Sequence, residues 1–152
     1  MHTLFLGLGS NLGDRKEALN HAIEAISMQI GIVEKASRII ETPAWGKTDL
    51  PDYLNQVILV KTKLWPLECI AKLLKIESSL GRERIEKWAS RTIDIDILYF
   101  NHWFFNTPDL TVPHPFIQDR YFVLEPLNEI APDFIHPVLR LNSKELLDHL
   151  TA

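Results

Sequence analysis

Residues 92–100 read Thr-Ile-Asp-Ile-Asp-Ile-Leu-Tyr-Phe, the cleanest strand in the chain. Side chains alternate along a strand, so Asp94 and Asp96 project from one face while Ile93, Ile95 and Ile97 project from the other. The preceding segment, 82–91, is charged and irregular, and Asn101-His102 predicts a turn back into a strand over 103–106. Pro66 suits the first turn of a helix, which Leu67, Ile70, Leu73 and Leu74 carry to Gly81, a natural C-cap. Before it, 53–62 alternates Leu54, Gln56, Ile58 and Val60 against Tyr53, Asn55, Val57 and Leu59, a strand with both faces partly buried. Residues 32–41 are rich in branched side chains and predict another strand. It stops at Thr42-Pro43, because proline pushes its predecessor toward an extended conformation and withholds an amide donor. A loop then runs to Pro51.

Further out, residues 3–8 form an apolar strand ending in the turn-rich Gly7-Leu8-Gly9-Ser10-Asn11-Leu12-Gly13. Asp14 with Glu17 predicts a capping box, and Leu19, Ala22, Ile23, Ile26 and Ile30 follow at helical spacing up to Gly31. Past residue 106 come Pro108, Pro113 and Pro115, a short segment over 116–127, and a helix over 143–150 capped by Ser143. The order strand, helix, strand, strand, helix, strand predicts an α+β fold: a ferredoxin-like βαββαβ core with a C-terminal extension, its antiparallel sheet covered by helices. No linker, low-complexity stretch or fixed-period repeat divides it, so residues 1–152 are expected to form a single domain.

With 46% apolar and 24% charged residues in 152, the composition is that of a globular chain. A net charge of −4 argues against coating nucleic-acid phosphates with excess positive charge. No apolar run approaches the ~20 residues that span a bilayer, so neither nucleic acid nor membrane is an expected partner. The lone Cys69 cannot form an internal disulfide, and no Cys/His cluster has zinc spacing. Residues 1–6 read as a strand without the basic flank and cleavage site of a signal peptide, and a cytoplasmic location is expected.

At ~3.3 Å rise per residue, Asp94 and Asp96 have Cα atoms roughly 6.6 Å apart, so their carboxylates can converge on a divalent cation, with Mg²⁺ favoured by hard oxygen ligands. An isolated Asp-x-Asp is more often the exposed face of an edge strand, where alternating Asp and Ile merely gives solubility. The preceding segment changes the balance: Arg82, Arg84, Lys87 and Arg91 fall within ten residues, interrupted by Glu83 and Glu86 and carrying Trp88. Guanidinium groups feeding into a strand with two carboxylates form the composite that polyphosphate chemistry requires. By itself that segment better fits a solvated loop whose mixed charges pair with one another. Gly7, Gly9 and Gly13 match neither a dinucleotide fingerprint nor a P-loop and are expected to form a structural turn. Around Thr42-Pro43-Ala44-Trp45-Gly46 and Pro51-Asp52-Tyr53-Leu54-Asn55, two rings and one amide suit either a flat heterocycle or an aromatic plug. His114, between Pro113 and Pro115, could contact a phosphate or nucleotide, although a lone surface His is more often incidental, and Arg120 with Phe122 carries the same ambiguity. Covalent catalysis has little support, since no Ser-His-Asp or Cys-His arrangement is evident.

Taken in order, Gly9-Ser10-Asn11-Leu12, Thr42-Pro43 with Pro51-Asp52-Tyr53-Leu54-Asn55, Gly81-Arg82 with Trp88, Arg91-Thr92-Ile93-Asp94-Ile95-Asp96 and Leu110-Thr111-Val112-Pro113-His114 resemble the 6-hydroxymethyl-7,8-dihydropterin pyrophosphokinase family of folate biosynthesis. The likeness covers most of the chain. It implies an ATP-dependent diphosphotransferase in which a hydroxymethylpterin attacks the β-phosphorus of ATP and releases AMP. Two Mg²⁺ ions would sit on Asp94 and Asp96, with Arg82 and Arg91 also catalytic. It implies a pterin site of Thr42, Pro43, Trp45, Tyr53, Asn55, Trp88 and Phe122. The ATP site would comprise Glu77, Arg84, Trp88, Arg91, Ile97, Leu110, Thr111, His114 and Arg120. Leu74, Asp109 and Pro115 differ from the Gln, Arg and Tyr that some members carry. ATP and the pterin are the expected partners and a monomer the expected state. From the bare residues two other classes remain open: a ferredoxin-like sensor that binds nucleotide without turnover, and another Mg²⁺-dependent transferase built on Asp-x-Asp.

Overall fold

The structure is a computed structural model that describes residues 1–43, 52–81 and 93–152. Strands β1 (His2–Ser10), β2 (Gly31–Ala36), β3 (Ile40–Thr42), β4 (Tyr53–Thr62) and β5 (Asp94–Phe100) make one antiparallel sheet in the order β2-β4-β1-β5, with β3 also paired to β4. This is the expected ferredoxin-like order, with β1 central because β4 and β5 both pair with it. Helices α1 (Arg15–Gln29) and α2 (Pro66–Leu80) lie in the two crossovers.

Strand alternation produces two cores. On the first face, Leu4, Leu6 and Leu8 of β1, Ile58 and Val60 of β4, and Ile93, Ile95 and Ile97 bury against Leu19 and Ile26 of α1 and Leu73 and Ile76 of α2. On the second face, Phe5, Val57, Leu98 and Tyr99 bury with Leu124 and Leu127 of α3 (Tyr121–Ile130) and Leu146 of α4 (Ser143–Thr151). Each such side chain taken out of water stabilises by roughly 1.5–3 kcal/mol. A bulge between β1 and β5 leaves Leu98 with no opposite residue, since Phe5 pairs Tyr99 and Leu6 pairs Ile97. Leu98 and Tyr99 therefore both join the second core, and Phe100 returns to the first.

Several sequence expectations are corrected. The first strand does not stop at Leu8 but continues to Ser10, and Gly7 and Gly9 lie inside it. Of these three glycines only Gly13, at φ 66°, has the left-handed conformation of a turn. Pairing on both sides holds β1 extended against the poor strand preference of glycine. The single strand expected over 32–41 is two, because at Ser37 the amide still donates to the Val57 carbonyl (2.9 Å) but the return bonds of the ladder are replaced by side-chain ones. Gln56 Nε2 donates to the Ser37 carbonyl (2.8 Å), and the Val57 amide donates to Ser37 Oγ (3.0 Å). Gly31 is the first residue of β2, where a Cβ would collide with the Lys61 carbonyl. Asp14 accepts from the Glu17 amide (3.0 Å), which is one half of the expected capping box.

Asn142, not Ser143, caps α4; the Glu145 amide donates to its side chain (2.8 Å) and the Asn142 amide donates to Glu145 Oε1 (3.0 Å). Asn101, at φ 53°, turns the chain after β5 as expected. The return strand is shorter than 103–106: β6 (Phe105–Asn106) pairs with β7 (Thr111–Val112) and not with β5. Residues 116–127 resolve into a 3-10 turn, Ile117–Asp119, and most of α3. Among the described residues no helix is long and apolar enough to cross a membrane.

Candidate active site

Two rows of residues cross the second face of the sheet. Asn55 of β4 pairs Gly9 of β1, which pairs Asp94 of β5; Val57 pairs Gly7, which pairs Asp96. In the next row Leu59 pairs Phe5, which pairs Tyr99. The two rows with glycine at the centre have no side chain in the middle and form the floor of a trough. With strands ~4.8 Å apart, its walls stand roughly 10 Å apart. The resulting cleft, about 1110 Å³, is lined by Gly7, Gly9, Thr42, Pro43, Tyr53, Asn55, Asp94, Asp96, Phe116, Arg120 and Phe122. It opens beside the N-terminal end of α3.

Its walls are preorganised. Asn55 is buried, and its Nδ2 donates to Thr42 Oγ1 (2.8 Å), which fixes the amide orientation and leaves Oδ1 as the acceptor beside Gly9. The Arg120 guanidinium stands 5.2 Å from the Phe116 ring centroid and 5.6 Å from that of Phe122, held by two aromatic rings.

A second cleft, about 350 Å³, lies along the outer edge of β5 and is lined by Leu74, Glu77, Asp94, Asp96, Ile97, Asp109, Leu110, Thr111, His114 and Pro115, among others. Edge strand β5 would present unpaired amides here, and Glu77 Oε2 accepts from the Ile95 amide (2.6 Å). The β6–β7 hairpin closes the other side. Its exit is tied to the sheet where the His114 amide donates to the Leu98 carbonyl (2.9 Å). His114 Nδ1 accepts from the Phe116 amide (3.1 Å), so in the neutral ring the proton is on Nε2. Burial, set against the opposing pull of Asp96 and joined by repulsion from Arg120, lowers the His114 pKa below the ordinary histidine value.

Asp94 and Asp96 line both clefts. The alternation expected from sequence puts both on the second face, and the edge position of β5 lets them border the volume on either side. Among the described residues no third His, Cys, Asp or Glu joins them in a group that could hold a metal ion. A pair of carboxylates with room for phosphate oxygens and water is a donor set that suits a divalent cation of the Mg²⁺ type.

Of the residues singled out in the sequence, Thr42, Pro43, Tyr53, Asn55, Arg120 and Phe122 meet in the first cleft, and Glu77, Ile97, Leu110, Thr111 and His114 in the second. Arg120 stands on the first-cleft side, although the resemblance groups it with ATP contacts. Trp45, Arg82, Arg84, Trp88 and Arg91 lie outside the described residues. The sequence reading missed Gly7 and Gly9 as a floor, and Phe116 as the second ring on Arg120. Their signal was Gly-x-Gly at the same alternation as Phe5, on a strand flanked by Asn55 and Asp94.

A sequence model of the family described as 7,8-dihydro-6-hydroxymethylpterin-pyrophosphokinase (HPPK) matches residues 5–132. The 2-amino-4-hydroxy-6-hydroxymethyldihydropteridine pyrophosphokinase of Aquifex aeolicus is 44% identical over 145 residues, covering 95% of this chain and 90% of its own. The Haemophilus influenzae protein of the same name is 36% identical over 153 residues, covering 98% and 96%. Among solved structures, wild-type Plasmodium falciparum HPPK-DHPS superposes with a TM-score of 0.81 at 18% identity, a likeness of fold. It covers 97% of this chain, which spans only 44% of that longer one.

Proposed function

Since the chain belongs to the 7,8-dihydro-6-hydroxymethylpterin-pyrophosphokinase family and is thereby a diphosphotransferase of folate biosynthesis with ATP as co-substrate, we propose that its two clefts divide the substrates. The pterin occupies the glycine-floored cleft and ATP the cleft along β5. The observation that carries this is the position of Asp94 and Asp96, which border both.

In this reading the pterin ring lies between Tyr53 and Phe122, over Gly9, and Asn55 Oδ1 accepts a hydrogen bond from its edge. Its hydroxymethyl oxygen then faces β5. Glu77, Ile97, Leu110 and Thr111 hold the nucleoside, and His114 Nε2–H and Arg120 donate to the phosphates. Bringing the two reactants to one wall is itself a large part of the acceleration. The hydroxymethyl oxygen bonds to the β-phosphorus, the bond from that phosphorus to the α-phosphate oxygen breaks, and AMP leaves. A carboxylate oxygen of Asp96 accepts the hydroxyl proton. Asp94 and Asp96 are the residues that would hold two Mg²⁺ ions, which when bound neutralise charge on the phosphate oxygens and acidify the hydroxyl. Arg82, Arg84 and Arg91 complete the phosphate contacts, and Trp45 and Trp88 complete the pterin site. Residues 1–152 act as one catalytic domain, and since one chain lines both clefts a monomer suffices. The proposed setting is the cytoplasm, to which a single buried cysteine is suited; burial pushes the Cys69 thiol up to about 12.

Product identity tests the reading. With ATP, Mg²⁺ and hydroxymethyldihydropterin, the expected product is AMP, formed only when the pterin is present. ADP, free pyrophosphate, or AMP formed equally without the pterin would contradict it.

A further inference from the structure

Resting on the assignment of the first cleft to the pterin, we propose that Arg15 is a positioning residue for that substrate: from behind the cleft it ties together the two strands that carry Thr42, Tyr53 and Asn55. Arg15 is the first residue of α1 and lines neither cleft. One nitrogen, Nη1, donates both to Glu41 Oε1 (3.2 Å) and to the carbonyl of Asp52 (2.7 Å). Glu41 is the middle residue of β3, and Asp52 immediately precedes β4.

The register places these contacts one residue from the substrate wall. Thr42 pairs Tyr53 and Glu41 pairs Leu54. Alternation sends Thr42 to the cleft and Glu41 to the opposite face, toward α1. β3 is three residues long and, among the described residues, pairs with β4 alone; Arg38, two residues before it, is tied to Glu129 of α3, and the Arg15 contacts make the tie at the Thr42 end. α1 is a firm anchor for the tie: Leu19, Ala22 and Ile26 are buried in the first core, and Asp14 caps the first turn.

The ion pair is partly exposed, with 28% of the Arg15 side chain and 53% of the Glu41 side chain accessible, so it adds little to global stability. What it restrains is local. Without it the outer end of β3 frays, Thr42 Oγ1 leaves Asn55 Nδ2, and the Asn55 amide is free to rotate away from the pterin edge. The orbit of ATP, on the far side of β5, is untouched.

The test measures KM for the pterin and for ATP, kcat and the thermal midpoint in Arg15→Ala, Arg15→Lys, Glu41→Gln and, for reference, Asn55→Ala. Arg15→Ala is expected to raise the pterin KM roughly tenfold, leave the ATP KM and kcat within about twofold, and shift the midpoint by no more than about 2 °C. Arg15→Lys keeps a donor for the Asp52 carbonyl and is expected to recover part of the loss. Glu41→Gln gives a smaller rise that disappears in the Arg15→Ala background; if Arg15→Ala fails to fold, that rise in Glu41→Gln alone carries the test. An unchanged pterin KM in Arg15→Ala, or a rise in both KM values with a lowered midpoint, overturns the positioning role while a raised pterin KM in Asn55→Ala leaves the cleft assignment standing. An unchanged pterin KM in both variants overturns the cleft assignment itself.

Discussion

The second face of the sheet has a filled end and an open end, built by the same three strands, with β1 and β4 alternating in the same way through both. At the filled end Phe5 sits between Leu59 and Tyr99, and α3 and α4 close over it. At the open end the same β1 positions carry Gly7 and Gly9, and the flanking positions carry Asn55, Asp94 and Asp96. Apart from the bulge that leaves Leu98 unopposed, the backbone pairing is the same in the two. A core becomes a cleft where the central side chain shrinks to hydrogen and its neighbours become polar. Substitutions at the two ends should therefore fail in different ways.

The largest expected effect is at the filled end. Phe5 is 2% exposed, and Phe5→Ala should cost about 3–5 kcal/mol in chemical denaturation, while the folded fraction keeps the parent KM values. At the open end, Asp94→Asn and Asp96→Asn should leave the denaturation midpoint near the parent's. Each should slow pterin-dependent AMP formation about 10²–10³-fold in a quenched-flow assay. If either instead loses stability and keeps its rate, the two ends are not distinct.

Gly9→Ala sharpens the contrast. Its Cβ would stand 3.4 Å from Asn55 Oδ1, on the trough floor. The pterin Kd, read by fluorescence titration, should rise about tenfold, with stability unchanged or slightly improved.

The smallest effect belongs to the filled end and to pH. His136 is buried, its Nδ1 accepts from the Val138 and Leu139 amides, and burial lowers its pKa below the ordinary 6.5. Above 6.5 both folded and unfolded chains hold it neutral and it adds no pH dependence. As pH falls through 6.5 the unfolded chain takes up a proton that the folded chain resists, so stability declines. Urea midpoints at about pH 7.5 and 5.5 should differ more in the parent than in His136→Asn, whose side-chain oxygen can accept the same amides.

The sheet order and the face taken by Asp94 and Asp96 were legible in the sequence, and the reasons are physical. The period-two Ile-Asp-Ile-Asp-Ile run fixes which face each aspartate takes, whatever the rest of the chain does. The element order, together with the apolar spacing of both crossover helices, gives the sheet order. Gly7 and Gly9 were read as a turn because glycine's own preference points that way; pairing with β4 and β5 on both sides, a long-range fact, overrode it. The break in 32–41 depends on Gln56 and Val57 bonding Ser37 from a strand some twenty residues away, which no local window contains. The bulge at Leu98 is equally a property of two strands together. At α4, Asn142 and Ser143 are both good capping residues, and Glu145 three residues past Asn142 decides between them.

The most direct test of the central claim is a crystal structure of the chain with hydroxymethyldihydropterin and a non-hydrolysable ATP analogue. The hydroxymethyl oxygen, arriving from the glycine-floored cleft, and the β-phosphorus, arriving from the cleft along β5, are predicted to meet beside Asp94 and Asp96 at about 3–3.5 Å. Both ligands in one cleft, or a reacting pair remote from those two carboxylates, would contradict it.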